Sequence, residues 1–548
     1  MIDLFAIQTM TLIAFLAFAA KRMMNYLHAL QQNTYDNGRL VSWIFKNKVF
    51  DTRVSLALIV IGTTSIFIKA PIWAPNIFIF LVFIIAAYFE KDARKQSKTA
   101  LVLTKRATRI LGMGVVFSAA LGALSYFTPS PFSWTIAVHL LPLMLVLGNA
   151  SLNPYEGAVQ KKFYIEAIQK LQSLNPTIIA ITGSYGKTSV KHILGHILQN
   201  NAPTLMTPGS VNTLMGITRI IREQLHPNHK YFIVEMGAYG PGSIASLCAL
   251  TPPDYGIISS IGHAHYERFK TLDTVVQAKY ELAESVLERG GTMIVHEKTL
   301  KFQHSRDMRQ RHMENFIACG EPIHKKDPKN AQEFSYLTPD DLKVKKIEQT
   351  PKGLCVTITW QGEKYTLRAP LYGIHHGHNI ALAFACAMTL GMDAKDIKTA
   401  LASTPQTKHR LEVKRQQDGT FIIDDTYNSN PPGFRAAMHV MKVLADDNEG
   451  RAILVTPGVL ELGQAHDEAH KTLGALAAEA ADIVLLINPS RIPTFIEGFD
   501  NANIKDKLLF QFETFTAAQE WLIDNKQSGD VILLANDLLD IYEQVLKI

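Results

Sequence analysis

Five long apolar runs lie within the first 150 residues and none of that length lies beyond them, so the chain is built for two solvents. The runs are residues 4–20, 54–70, 72–89, 110–127 and 132–147. Most approach the roughly 20 residues that cross a hydrocarbon core. Runs 54–70 and 132–147 are somewhat short, and the latter holds His139 and Pro142. Four or five spans are therefore expected, with a re-entrant or tightly paired segment as the alternative to the fifth. The first run has no small-residue cleavage site and is followed by Lys21, Arg22 and further apolar runs. It reads as a retained anchor and not as a signal peptide.

Positive side chains between spans stay on the cytoplasmic side. The link between runs one and two carries Lys21, Arg22, Arg39, Lys46, Lys48 and Arg53. The link between three and four carries Lys91, Arg94, Lys95, Lys98, Lys105, Arg106 and Arg109, and the remaining links hold Lys69 at most. Five spans with those two links inside place the N-terminus outside and residues 150 onward in the cytoplasm. The expected location is a bacterial inner membrane, with membrane lipid as a partner.

At about 150 residues per domain, 548 residues suggest three or four units, which excludes a small stapled or disordered protein. A formal charge of +6 is mild for this size, and no nucleic-acid partner is expected. Cys248, Cys319, Cys355 and Cys386 are scattered without a CxxC pair, so reduced buried thiols are expected.

After the apolar third, residues 176–181 (PTIIAI) read as a short buried strand. It runs into Gly183, Ser184, Tyr185, Gly186, Lys187, Thr188 and Ser189, and a helix is expected over 190–199. Strand, glycine loop and helix in that order suit a phosphate loop. Glycines let backbone N–H groups close on phosphate oxygens, the helix N-terminus favours negative charge, Lys187 reaches the phosphates, and Thr188 offers a hydroxyl to magnesium. The loop is shorter than the usual GxxxxGK[ST].

The TGxxGKTS form resembles the ATP loop of the Mur ligases, which add amino acids or dipeptides to a peptidoglycan precursor. Later segments extend the resemblance in order. Residues 231–239 (YFIVEMGAY) put Glu235 where the family has its magnesium-binding glutamate, and a carboxylate there offers hard oxygen. Residues 257–269 (IISSIGHAHYERF) resemble a strand and AHLE turn, which puts His265 on the metal position with His263 beside it. Residues 278–281 (AKYE) are similar to the family's AKxE, whose lysine is carbamylated, so the resemblance assigns that role to Lys279. Read alone, Lys279 is an ordinary helix-face lysine.

Residues 370–390 resemble the helix start that closes the family's central domain. His375 and Asn379 fall on the matching positions, and Asn379 is implied near the adenine. His375, His376 and His378 fit no tetrahedral metal spacing. His409, Arg410 and Leu411 match a segment whose arginine contacts ATP from the last domain. Residues 423–431 (IDDTYNSNP) closely resemble the DDSYNANP of the branch that adds D-alanyl-D-alanine, which puts Asp425 beside the nucleotide. Residues 459–463 (VLELG) with His466 and His470 continue the match. Two departures stand out. The family's UDP-holding N-terminal domain is replaced by apolar segments, and its KGSR stretch is here Ala535, Asn536, Asp537 and Leu538.

The expected architecture is an α-helical membrane region over 1–150, then α/β: a P-loop central domain over 151–405 and a smaller Rossmann-like domain over 406–548. Residues 343–367 alternate β-branched residues around turn signals and are expected to form an antiparallel insertion. The resemblance implies ATP and Mg²⁺, with Thr188, Glu235, His265 and carbamylated Lys279 at the metal. An acceptor carboxylate, small or lipid-linked, would be activated as an acyl phosphate for attack by an amino acid or dipeptide amine. A polymer synthetase of the poly-glutamate type and a transporter or regulatory P-loop ATPase are the competing readings.

Overall fold

A computed structural model describes residues 4–535 apart from 34, 47–50, 70, 72, 91, 95–100, 129, 263–268, 270, 323–335, 427–430, 460–461 and 463–464. Its contacts divide into one unit over residues 1–161 and another over 162–538.

In the first unit the described part of each apolar run is mainly helical. The helices are α1 (Leu4–Gln32), a short α2 (Asn37–Lys46), α3 (Thr52–Phe67), α4 (Trp73–Phe89), α5 (Lys105–Phe127) and α6 (Pro131–Leu174), which ends in the second unit. By length and composition, α1, α5 and α6 can cross a membrane, whereas α3 and α4 are shorter apolar helices. At 16 and 17 residues these two reach about 25 Å, short of the roughly 30 Å of a hydrocarbon core. Local chemistry trims α3: Asp51 caps its start by accepting from the Val54 N–H, and Pro71 follows its end. The run with His139 and Pro142 lies within one continuous helix, because α6 is helical through both Pro142 and Pro154. His139 Nδ1 lies 3.0 Å from both Ser55 Oγ and the Thr135 carbonyl. Phe83 meets both Phe15 and Trp134 edge to face in the core, while Phe5, Leu56, Phe67, Phe89, Leu124 and Phe127 point outward.

The second unit contains two sheets. The first orders its strands β2 (Thr204–Met206), β3 (Tyr231–Glu235), β1 (Thr177–Thr182), β4 (Tyr255–Ile258), β5 (Thr292–His296), β6 (Phe316–Gly320), β7 (Leu342–Thr350), β8 (Gly353–Trp360) and β9 (Glu363–Ala369). Pairing is parallel from β2 to β7 and antiparallel from β7 to β9. The expected antiparallel segment is thus present, and it extends the central sheet because β7 continues the ladder of β6. The buried strands β1, β3 and β4 carry continuous apolar runs, as parallel strands covered on both faces must.

One face packs α7 (Lys187–Gln199). The other packs the end of α6 with α8 (Leu214–Gln224), α9 (Ser243–Leu250), α10 (Leu272–Glu288) and α11 (Gln303–Arg311). Helices α12 (His375–Thr389) and α13 (Ala394–Ala402) complete the first face. Helix α7 starts three residues before the expected 190, because Gly186 takes a left-handed φ of 80° and lets the helix begin at Lys187. The strand order reverses around β1, which opens a crevice at its C-terminal end, the usual ligand position in such sheets.

The smaller sheet runs β10 (Glu412–Arg415), β11 (Phe421–Asp425), β15 (Val531–Ala535), β12 (Ala452–Thr456), β13 (Ile483–Ile487) and β14 (Leu508–Phe512). Only its β10 edge is antiparallel. Helices α14 (Pro431–Asp447), α15 (His466–Ala480), α16 (Pro493–Asn501) and α17 (Phe515–Asn525) accompany it, a second doubly wound layer.

Candidate active site

The register of the central sheet sets the site. Ile181 of β1 lies opposite Glu235 of β3, and Thr182 lies opposite Ile258 of β4, so the loop leaving β1 emerges between a carboxylate and Ser259–Ser260. The Ser184 N–H donates to the Ser260 carbonyl at 2.8 Å, and the Tyr185 N–H to Ser260 Oγ at 2.9 Å. Ser259 Oγ donates to the Tyr185 carbonyl at 2.6 Å, and Ser184 Oγ exchanges hydrogen bonds with Gly262. Two glycines make this path possible. A Cβ on Gly183 would lie 2.1 Å from Ser259 Oγ, and one on Gly186 would lie 2.8 Å from Asn379 Oδ1. Asn379, near the start of α12, therefore sits directly over the loop.

The first bond within α7 runs from the Val190 N–H to the Gly186 carbonyl, so the preceding N–H groups at Lys187, Thr188 and Ser189 are free of that ladder and face the crevice end. With the helix dipole they suit an anion. Lys187 Nζ folds back onto the carbonyls of Gly183 at 2.7 Å and Ser184 at 3.3 Å. Burial pulls its pKa down, opposed by attraction to Glu235 and aided by repulsion from Arg410. Lys279, buried on α10, donates to the same Gly183 carbonyl at 3.0 Å. Burial, with repulsion from Lys187, brings its pKa down to about 7. Lys279 is thus no solvated helix-face lysine.

Glu235 accepts from Thr188 Oγ1 and from Lys191 Nζ on one oxygen, each at 3.0 Å, and from Asn212 Nδ2 on the other at 3.2 Å. Lys191 also donates to the Gly209 carbonyl, and Tyr239 Oη donates to Asn212 Oδ1 at 3.0 Å. Sequence reasoning missed Lys191 and Asn212. Lys191 had a legible signal, since it stands one turn after Lys187 and therefore on the same side of α7. Nothing in the sequence pointed to Asn212, whose place depends on the loop after β2.

His265 and His263 lie outside the described residues. His375 stands exposed at the start of α12, while its neighbour His376 is buried, and burial, with repulsion from His375 and Arg410, holds the His376 pKa well below the ordinary imidazole value. Asn379 Nδ2 approaches His376 Nδ1 at 3.4 Å.

From the smaller sheet, Arg410 reaches the same crevice, and its charge is felt at Lys187, Lys191 and His376. It sits between two left-handed residues, His409 (φ 59°) and Leu411 (φ 52°), a conformation that costs roughly 1–2 kcal/mol per residue. Two carboxylates brace it. His409 Nδ1 lies 2.9 Å from Asp424 Oδ2, and the Leu411 N–H donates to Asp425 Oδ1 at 3.1 Å. Burial pushes the Asp425 carboxyl up to about 6, against the Leu411 N–H and Arg410, which favour its charged form. His409, Glu412 and Asp424 form a possible metal group, but Glu412 already pairs with Lys414 at 3.0 Å and Asp424 with His409. His470 Nε2 accepts the Val459 N–H at 2.9 Å, and His466 Nε2 contacts the Arg491 carbonyl at 3.1 Å, so both rings brace loops. Of residues 459–463 the structure describes Val459 and Leu462. Of the stretch 535–538 it describes Ala535.

Comparison with known proteins places these segments in context. Residues 181–387 match the Mur ligase middle domain, and residues 409–536 match the Mur ligase, glutamate ligase domain. UDP-N-acetylmuramoyl-tripeptide–D-alanyl-D-alanine ligase of Bacillus subtilis is 26% identical over 66% of this chain and 73% of its own length. The enzyme of that name from Buchnera aphidicola is 32% identical over 56% of this chain, and only 62% of its own length is covered. Among solved structures, the UDP-N-acetylmuramoylalanyl-D-glutamyl-2,6-diaminopimelate–D-alanyl-D-alanyl ligase from Acinetobacter baumannii superposes with a TM-score of 0.56 at 26% identity. That superposition covers 69% of this chain and 76% of that one.

Proposed function

Because the chain belongs to the Mur ligase family through its middle and glutamate ligase domains, we propose that it is a membrane-anchored, ATP- and magnesium-dependent, ADP-forming amide ligase of peptidoglycan precursor synthesis. The observation that carries this reading is the convergence of Lys187 and Lys279 on one loop carbonyl, that of Gly183, beside the Thr188–Glu235 pair. A transporting or regulatory ATPase has no use for the second lysine, whose depressed pKa suits reaction with carbon dioxide.

The residues fit the group they would hold. Thr188 and Glu235 supply hard oxygens, the ligands magnesium prefers. When bound, the metal would offset charge on the phosphoryl oxygens. We assign its ligands as Thr188, Glu235, His265 and Lys279, the last as a carbamate. The neutral Lys279 amine adds to carbon dioxide and loses one proton, which turns a neutral group into an anion. We assign the nucleotide to residues 183–189, with Asn379, Arg410 and Asp425.

In the reaction, Lys187 would exchange the Gly183 and Ser184 carbonyls for phosphoryl oxygens, and the first-turn N–H groups of α7 would hold the remaining charge. An acceptor carboxylate attacks the γ-phosphorus, and ADP leaves with the bridging electrons. A neutral amine then attacks the acyl phosphate, inorganic phosphate departs, and the amine's proton is lost as the amide forms. Arg410 would steady the phosphoryl charge from the smaller sheet. By analogy with the relatives' names, the acceptor is a muramoyl-linked peptide and the amine D-alanyl-D-alanine.

We assign residues 1–150 to the membrane, 151–405 to the ATP-binding domain and 406–548 to the closing domain. The outward apolar side chains of the first unit and the Lys/Arg-rich links support a multi-pass anchor with the catalytic domains in the cytoplasm. The test is ADP release by the full-length protein, with ligated product identified by mass spectrometry. Release should require both acceptor and dipeptide. Rapid ATP hydrolysis with neither present would overturn the reading.

A further inference from the structure

Helices α1 to α4 of the first unit line an open cavity of about 770 Å³, within the size range of small-molecule sites. One side of it is apolar, lined by Ala57, Val82, Ile85 and Phe89, of which Ile85 and Phe89 also open to the outside of the bundle. Its other end is charged. Arg22 of α1 donates to Glu90, at the end of α4, at 3.0 Å, and Asn25 donates to the same carboxylate oxygen at 2.6 Å. Arg22 Nε also lies 3.1 Å from Tyr26 Oη and 4.0 Å from Asp51 Oδ2. One guanidinium is thus flanked by two carboxylates, whose side chains are only 12% and 9% exposed. His28 and Arg53 complete the titratable lining among the described residues, with Arg53 at the exposed rim.

This arrangement has a physical consequence. Buried charges in an apolar helix bundle are costly and mark binding sites when a net charge is left to satisfy. Arg22 against Asp51 and Glu90 leaves one negative charge in the buried cluster, with a cation at the rim and an apolar slot below. A ligand that matches all three carries a hydrogen-bonding cation, a phosphate next to it and a hydrocarbon chain.

We propose that the cavity seats an aminophospholipid, with its primary ammonium on Glu90 and Asp51, its phosphate at Arg53 and the start of one chain along Ala57, Val82 and Ile85. The proposal rests on the reading that residues 1–150 lie in a bilayer. The site holds the membrane part by a specific head group, apart from the general attraction of Lys and Arg to anionic lipid.

The full-length chain, stripped of lipid in detergent, is offered phosphatidylethanolamine, phosphatidylcholine or phosphatidylglycerol at equal concentration, and bound lipid is read by native mass spectrometry. Phosphatidylethanolamine should be retained about tenfold better than either other lipid, because choline lacks N–H donors and glycerol lacks the cation. Glu90→Gln should reduce its retention to the level of phosphatidylglycerol. Ala57→Phe, which fills the slot and leaves the charges intact, should remove it as well, and it decides the matter if Glu90→Gln does not fold. Equal retention of the three lipids, or unchanged retention in the folded variants, would overturn the proposal. A chain that partitions into the aqueous phase without detergent would instead remove the membrane reading.

Discussion

Lys191 Nζ lies 3.0 Å from Glu235 Oε2, with both side chains almost wholly withdrawn from solvent. The ammonium also reaches the Gly209 carbonyl, so one cation joins α7, the end of β3 and the loop after β2. Burial lowers the Lys191 pKa, and the direct contact with Glu235 opposes that shift. Removing one member strands the other's charge in the interior. Lys191→Met should therefore cost about 3–5 kcal/mol in urea unfolding, and Lys191→Met with Glu235→Gln should recover most of that. Equal losses in the single and double variants would show that the contact is not the source.

Lys187→Ala should lower the rate of ligation on the order of 10³ or more, since it removes the cation that we assign to the transferring group. Its effect on folding should be small by comparison, because its partners are loop carbonyls near the crevice. Single-turnover ADP formation reads the loss. Near-normal ligation would sink the assignment of residues 183–189 to ATP.

Lys279→Ala should be nearly inactive and partly restored by a high concentration of acetate, because a small anion can enter the space the side chain leaves. A structural lysine would give loss without rescue. A second readout is labelled-carbon NMR under bicarbonate, whose carbamate signal should grow through the pKa of about 7 as the free amine appears. The sign for stability is fixed too. The unfolded chain binds the extra proton between about 7 and the ordinary lysine value, so this residue's burial penalty is full below about 7 and fades as pH rises.

Asp425, raised to about 6 by burial, gives the opposite slope. Between its ordinary value and about 6 the folded chain holds more protons than the unfolded one, so its contribution to stability falls as pH rises through that window. Asp425→Asn keeps an acceptor for the Leu411 N–H and should flatten the slope, stabilising the protein at pH 7 by roughly 1–3 kcal/mol. Activity should fall, because we assign this carboxylate to the nucleotide. A thermal-melt series from pH 4 to pH 7 that is identical in variant and parent would contradict the assignment.

A reporter fused after residue 548 should behave as cytoplasmic, and one inserted between 128 and 133 as external. This follows from the five-run topology and its two basic links. Reversed signals would refute the orientation and remove the active site from its ATP supply.

Sequence alone determined where the apolar helical part ends, the strand, loop and helix around residues 177–199, and the order of the segments shared with the Mur ligases. Each of these is local: apolar length, glycine spacing and turn chemistry act over a few neighbouring residues, so they can be read along the chain. The same pattern also marked Glu235 and Lys279 as candidates, though not their neighbours. Only the tertiary structure decided that Lys279 is buried against the Gly183 carbonyl, 96 residues away in the chain, and that Asn379 covers Gly186. It alone brought Lys191, Asn212 and Thr188 onto one carboxylate. Those outcomes depend on strand register and helix packing. They set burial and distance, and hence the shifted proton affinities, between residues that no sequence spacing relates.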